Sequence, residues 1–212
     1  VLAGATGKMG AGYMAAEAVL RAGAGLVTLG YPKGAISLGP TPPEIMTLPL
    51  ASTTSGTFSN EAILPGLEAA SMVDAVVIGP GITTQKETVS FVHDWLVRCD
   101  RPMVVDADAL NAMALGFTKW NEVTAPLCLT PHPGEFSRLT GQSIKEVQTN
   151  RIEAARKFSS ERTVEIALKG ARTILASPNG EVWVNMSGSA VLASGGTGDV
   201  LAGAVGSFLA QG

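Results

Sequence analysis

At 212 residues, with 46% hydrophobic and 16% charged side chains, the chain carries enough apolar material to bury a substantial core. That balance excludes an intrinsically disordered protein. A formal net charge of −3, with no block of like charges, excludes a general nucleic-acid surface, which needs a basic excess.

The chain opens on "VLAG" (1–4), a strand already under way, so residues before Val1 are expected. This start lacks the charged region and cleavage site of a signal peptide. A helical "AGYMAAEAVLRAG" (11–23) leads to a strand, "GLVTLGY" (25–31). The Pro/Ser/Thr/Gly-rich region 39–59 reads as surface loops around one edge strand, "EIMTLPL". Asn60 is placed to cap a helix through "EAILPGLEAA", with Pro65 as a kink.

"DAVVIGPG" (74–81) is a buried strand running into a glycine turn, followed by a helix over "QKETVSFVHDWLVR". "RPMVVDADAL" (101–110) and "PLCLTPHPGEF" (126–136) repeat that scheme, and one long helix is expected from Ser143 to about Ser160. "EIALKGARTILASPNGEVWVNM" (165–186) reads as a strand and then a hairpin turning at Pro178-Asn179-Gly180. A last strand, loop and helix follow around "ASGGTGDVLAG" (193–203), and the chain stops inside a helix pattern.

Short apolar strands alternating with helices predict an α/β fold whose mainly parallel sheet is covered on both faces. No repeat or linker divides it, so one domain over 1–212, with terminal residues missing, is expected. No apolar run approaches the ~20 residues of a membrane-spanning helix. Two cysteines, Cys99 and Cys128, are too few for a disulfide framework and read as reduced, buried thiols of a cytoplasmic chain.

In such sheets ligands bind outside the carboxyl ends of the strands. The unusual residues gather there: Gly79-Pro80-Gly81, Asp106 and Asp108, Thr130 to Glu135, Lys169-Gly170, and Gly195 to Asp199. That clustering favours an active site over a binding module. "GATGKMG" (4–10) mimics the glycine fingerprint of nicotinamide dehydrogenases, but the following strand ends "LGYPKG" without the acid that would bind ribose. "SGGTGDV" is not a Walker loop either, since Asp199 stands where that loop has lysine.

Its physics is nevertheless related. Glycines let successive N–H groups point inward, and the helix start adds partial positive charge, which suits an anion. Asp199 reads either as a first-turn acid complementing the helix dipole or as a base taking a proton from an attacking hydroxyl. The glycines favour the second. In "LTPHPGEF" two prolines frame His132, and Glu135 is read as a helix-start acid, with Thr130 or Gly134 near the cap, or as a ligand of Mg²⁺ or its water. Lys169 follows an apolar strand and suits a phosphate. Asp108 is expected to cap the next helix, while Asp106 stays open between a metal contact and a structural role. His93 and Trp95 read as packing or surface residues.

Together these pieces resemble the ADP- or ATP-dependent NAD(P)H-hydrate dehydratases, a branch of the ribokinase-like fold. The resemblance covers essentially the whole chain. It rests on "GAGLVTL" (23–29), "GPGI" (79–82), "VVDADALN" (104–111), "LTPHPGEFSRLTG" (129–141), "LKGARTILASPNG" (168–180) and "SGGTGDVLAG" (194–203). The last block is shared across ribokinase-like kinases, many of which carry Thr-Pro-Asn-x-x-Glu. Here His132 replaces that asparagine, which points to the dehydratase branch.

The resemblance implies a ribokinase-like three-layer α/β/α fold and a repair reaction. Hydrated NADH or NADPH (NADHX, NADPHX) would be phosphorylated by ADP or ATP on its ring hydroxyl, and phosphate elimination would restore the ring. It implies Asp199 as catalytic base and the amides of Gly195, Gly196, Thr197 and Gly198 as anion hole. Lys169, Gly170, Ala171, Arg172 and Thr173, with Gly198, would contact the nucleotide. Ala11, Gly81, His132 and Asp199 would contact the hydrated dinucleotide, and Glu135 would lie near Mg²⁺. A homotetramer is implied, and some members of the family carry a fused epimerase domain. The alternatives are a ribokinase-like kinase acting on a vitamin-precursor hydroxyl, and a nucleotide-sensing scaffold with a decayed site.

Overall fold

The computed structural model describes residues 1–35 and 42–212. Strands β1 (Val27–Pro32) and β2 (Ile45–Leu50) pair in parallel, Val27 opposite Ile45 and Pro32 opposite Leu50. Leu2 joins this pair to the remaining strands through parallel bridges to Gly30 on one side and Ile78 on the other. From there β3 (Val76–Ile78), β4 (Met103–Val105), β5 (Leu127–Leu129) and β6 (Glu165–Leu168) run parallel in that order. β7 (Ile174–Ala176) and β8 (Val182–Val184) finish the sheet as an antiparallel hairpin. The sheet is mainly parallel, as the alternation of elements predicts. β2 is the expected edge strand and contains Pro49, while residues 39–41 of the region read as its surroundings lie outside the described residues.

Helices cover both faces, giving three layers. On one side α1 (Met9–Arg21) and α8 (Thr197–Gln211) pack together over Val77 and Val104, with Met9, Ala16 and Ala202 in the shared core. On the other lie α2 (Ile63–Ala70), α3 (Lys86–Arg98), α4 (Ala107–Ala114) and α5 (Pro133–Thr140). There the alternate strand residues Val76, Ile78, Met103 and Val105 meet Phe91, Trp95, Leu110 and Phe136. Burying each of these larger side chains is worth roughly 1.5–3 kcal/mol.

Two glycines set how close α8 can come. A Cβ on Gly203 would lie 2.2 Å from the Ala15 carbonyl of α1, and one on Gly206 would lie 2.2 Å from Val77 Cγ2. Any side chain there would lift α8, and with it Asp199, off the sheet.

Four local expectations are corrected. The long helix from Ser143 is two helices, α6 (Ile144–Thr149) and α7 (Arg151–Arg162), broken at Asn150, whose backbone leaves the helical region at φ −139 and ψ 55. Asn60 does not cap through its side chain; it opens a short 3₁₀ turn, Asn60–Ala62, and Pro65 falls in the first turn of α2, where a missing N–H costs nothing. Asp108 lies inside α4 and makes no cap. The strand expected before α8 is a 3₁₀ turn, Ala190–Leu192, in an exposed loop.

Both cysteines are free, Cys99 buried and Cys128 partly so. Burial pushes the Cys128 thiol up to about 12, which makes it inert. No helix among the described residues is long and apolar enough to cross a membrane.

Candidate active site

The start of α8 builds an anion cradle from backbone alone. Gly196 is the N-cap residue, in the left-handed region at φ +90, a conformation that glycine adopts without strain. The N–H groups of Gly195, Gly196 and Gly198 find no acceptor among the described residues. Thr197 holds the loop in shape: its hydroxyl donates to the Leu192 and Ser194 carbonyls at 2.8 and 2.9 Å, and its N–H makes a long contact of 3.5 Å to Ser194. Free donors and the positive end of the helix dipole coincide here.

Asp199 sits in the first turn of that helix. Burial, then the Asp106 carboxylate, push its carboxyl up to about 6; Lys169 pulls the other way and Asp108 adds a further upward push. A carboxylate tuned to that range is ionised at neutral pH and still basic enough to accept a proton.

Behind the cradle lies a buried ionic knot. Asp106, 1% exposed at the end of β4, accepts the Thr130 hydroxyl and the Lys169 ammonium on one oxygen, each at 2.7 Å. Lys169 Nζ also lies 3.9 Å from Glu135 Oε2. A Cβ on Gly198 would be 3.5 Å from that ammonium, so the cation borders the cradle. Ala107 is held left-handed at φ +51, rare for a residue with a side chain, and this turn sends Asp106 and Asp108 in different directions. Asp108 accepts the Thr83 N–H at 2.9 Å and the Lys8 ammonium at 3.3 Å.

His132, and not Thr130 or Gly134, caps α5. Its Nδ1 accepts the N–H groups of Gly134 and Glu135 at 3.0 and 3.2 Å, and Glu135 Oε2 accepts the His132 N–H at 2.8 Å, a reciprocal capping box. With Nδ1 an acceptor, the ring proton sits on Nε2, 3.4 Å from Glu135 Oε1. Burial, followed by Lys169 and Arg138, lowers the histidine's proton affinity and keeps it neutral. Burial pushes Glu135 up to about 7, against the pull of Lys169.

The structure thus brings Asp199, Gly198, Lys169, Glu135 and His132 together. Ala11 and Gly81 form a second group: a Cβ on Gly81, itself at φ +69, would lie 3.1 Å from Ala11 Cβ and 2.8 Å from the Lys8 carbonyl. The glycine-rich opening joins this wall, since Gly4 donates to the Pro80 carbonyl at 2.8 Å.

Gly170, Ala171, Arg172 and Thr173 form a loop tied not to the cradle but to Arg151, at the start of α7. The Arg151 guanidinium donates to the carbonyls of Leu168, Lys169, Ala171 and Arg172 at 2.9–3.3 Å. A Cβ on Gly170, itself at φ +150, would sit 2.7 Å from an Arg151 nitrogen and push that guanidinium aside. Nothing in the sequence marks Arg151, because an arginine inside an expected long helix looks like any solvated one. The break at Asn150 is what puts it at a helix start facing the loop.

A mainly parallel sheet flanked by helices, with a glycine cradle and an acid at a helix start on its carboxyl edge, defines a ribokinase-like protein. The family model described as NAD(P)H-hydrate dehydratase matches residues 1–212, and the chain belongs to that family. It is 43% identical over 210 residues to the Bifunctional NAD(P)H-hydrate repair enzyme Nnr of Moorella thermoacetica, covering 99% of this chain and 40% of that protein. It is 36% identical over 215 residues to the ADP-dependent (S)-NAD(P)H-hydrate dehydratase of Neisseria meningitidis, covering 100% of this chain and 69% of that one. The ADP/ATP-dependent NAD(P)H-hydrate dehydratase of Bacillus subtilis, co-crystallized with ATP/Mg²⁺, superposes with a TM-score of 0.79 at 32% identity, over 99% of this chain and 70% of that one. The chain spans about two-fifths of the length of the bifunctional relatives it matches.

Proposed function

We propose that this chain carries the dehydratase half-reaction of NAD(P)H-hydrate repair, a lyase activity that uses ADP or ATP to return NADHX and NADPHX to the reduced cofactors. One observation carries this reading: a carboxylate tuned to about 6 stands directly behind a cradle of free backbone donors, with a fixed ammonium at its border.

In this reading the N–H groups of Gly195, Gly196 and Gly198 hold the transferring phosphoryl group, with Thr197 shaping the loop, and Lys169 balances its charge. Asp199 takes the proton from the ring hydroxyl as that oxygen attacks phosphorus, and the nucleotide leaves one phosphate shorter. Loss of inorganic phosphate from the ring carbon, together with a neighbouring ring proton, then restores the double bond. His132 offers Nε2–H to the dinucleotide, and Ala11 and Gly81 allow it close approach.

The residues present fit a Mg²⁺ that arrives on nucleotide phosphates, which needs only one or two protein carboxylates. Among the described residues no three acidic, histidine or cysteine side chains cluster as a dedicated metal cage. Glu135 would hold the ion through Oε1, the oxygen left with only the 3.4 Å histidine contact. When bound, the ion supplies positive charge against the phosphates. A cytoplasmic homotetramer completes the proposal, its subunit number readable by light scattering.

The test is recovery of reduced-nicotinamide absorbance from prepared NADHX and NADPHX with Mg²⁺ and ADP or ATP. Wild type is expected to restore the absorbance only with nucleotide present. Asp199→Asn is expected to lose about 10²–10⁴-fold in rate, the usual worth of a general base. A phosphorylated product that accumulates without restoring the absorbance would instead identify a small-molecule kinase.

A further inference from the structure

The carboxyl edge of the sheet offers room on two sides of Asp199. On the β6–β7 side lies the Lys169–Thr173 loop. On the β3–β5 side, beyond Gly81 and His132, a cavity of about 420 Å³ is lined by Thr84, Asp108, Asn111, Ala114, Leu115 and Arg138. It adjoins the site electrostatically at two points: Asp108 acts on Asp199, and Arg138 acts on His132. A second cavity, of about 400 Å³, opens at the opposite, amino ends of the strands beside Val27 and Val76, away from all these groups.

The wall of the first cavity is organised. Arg138 donates its Nε proton to Asn111 Oδ1 at 2.8 Å, and Asn111 reaches Asp108 Oδ1 at 3.5 Å. That leaves the two terminal guanidinium nitrogens of Arg138 without a hydrogen bond or ion pair among the described residues. One turn beyond Asn111 along the same face of α4, Leu115 leaves 60% of its surface exposed, next to Ala114. A fixed guanidinium with free donors beside an apolar wall matches a phosphorylated nucleoside: the fork pairs with phosphate oxygens and the apolar wall takes the base.

We propose that this cavity receives the adenosine half of the hydrated dinucleotide and that Arg138 binds one of its phosphates. The proposal rests on the dehydratase reading, which puts the nicotinamide ring at Asp199 and leaves the rest of the dinucleotide to be housed on this side. The anchored phosphate is either the 2′-phosphate of NADPHX or the pyrophosphate common to both hydrates.

Two measurements on wild type, Arg138→Ala and Arg138→Lys test it: kcat/KM for NADHX and NADPHX, and binding of NADH and NADPH followed by nicotinamide fluorescence. Losing a charge-assisted pair to phosphate is expected to cost roughly 10- to 100-fold in Arg138→Ala. Lysine is expected to recover only part of that, since it keeps the charge but not the fork. A loss confined to NADPHX and NADPH supports the proposal and assigns the 2′-phosphate; an equal loss for both pairs supports it through the pyrophosphate. Less than a twofold change for every dinucleotide would overturn it, as would a loss appearing only in the KM for ADP or ATP. Failure of the dehydratase reading looks different: wild type would turn over neither hydrate, while NADPH binding and its dependence on Arg138 would still report on the cavity.

Discussion

At Asp199, burial and the Asp106 carboxylate raise proton affinity, Lys169 lowers it, and the balance falls at about 6. A base must be ionised to act, so kcat/KM is expected to fall as pH drops through about 6 and to level off above it. Lys169 favours the ionised form, so Lys169→Gln is expected to move this limb to higher pH, besides lowering the rate. A pH–rate profile of both proteins checks it, and a limb that stays put would separate Lys169 from Asp199. The placement of Asp199 beside the glycine loop at a helix start was legible, because glycines running into one acid have few structural uses. Asp106 was not. An acid after an apolar strand looks the same whether it caps a helix or pairs with a cation, and its partner Lys169 lies 63 residues away. His132 as a helix cap was equally hidden, since histidine is not among the usual capping residues.

Among the elements, α7 carries the least obvious duty. Arg151 at its start satisfies the Leu168 carbonyl at the end of β6 and three carbonyls of the loop that leads from there to β7. Arg151→Ala leaves them without that donor, at an expected cost of about 1–3 kcal/mol in stability, read by denaturant titration. If the loop contacts the nucleotide, the same variant raises the KM for ADP or ATP while the KM for the hydrates stays within twofold. An equal rise in both would mean that the loop serves the whole site. Sequence pattern showed that helices lie between the strands but not where one breaks. The polar run from Ser143 to Arg162 keeps helix-forming residues on either side of Asn150, and only the backbone turn there ends α6. The strand expected before α8 is absent although Ala190 to Leu192 is apolar enough for one: the segment pairs with no strand among the described residues and turns as a 3₁₀ helix.

For the molecule as a whole, alternating elements foretold a mainly parallel sheet covered on both faces, because each crossover must bury a helix on one face. The position of Leu2 could not be read that way. A few apolar residues before a glycine loop say nothing about which strands they separate, and here they separate β1 from β3. That seam bears on the order of folding. The antiparallel run β6–β7–β8 forms from neighbours in the chain, whereas Leu2 reaches across to Gly30 and Ile78, and long-range pairings of this kind close late because the loops must be drawn in first. Pulse-labelled hydrogen exchange during refolding is therefore expected to protect the Leu168 and Leu175 amides before those of Leu2 and Gly30. Until the seam closes, the β1–β2 pair and the strands from β3 onward are two separate sheets with open edges, and it is in that interval that this protein is most exposed to pairing with the wrong chain.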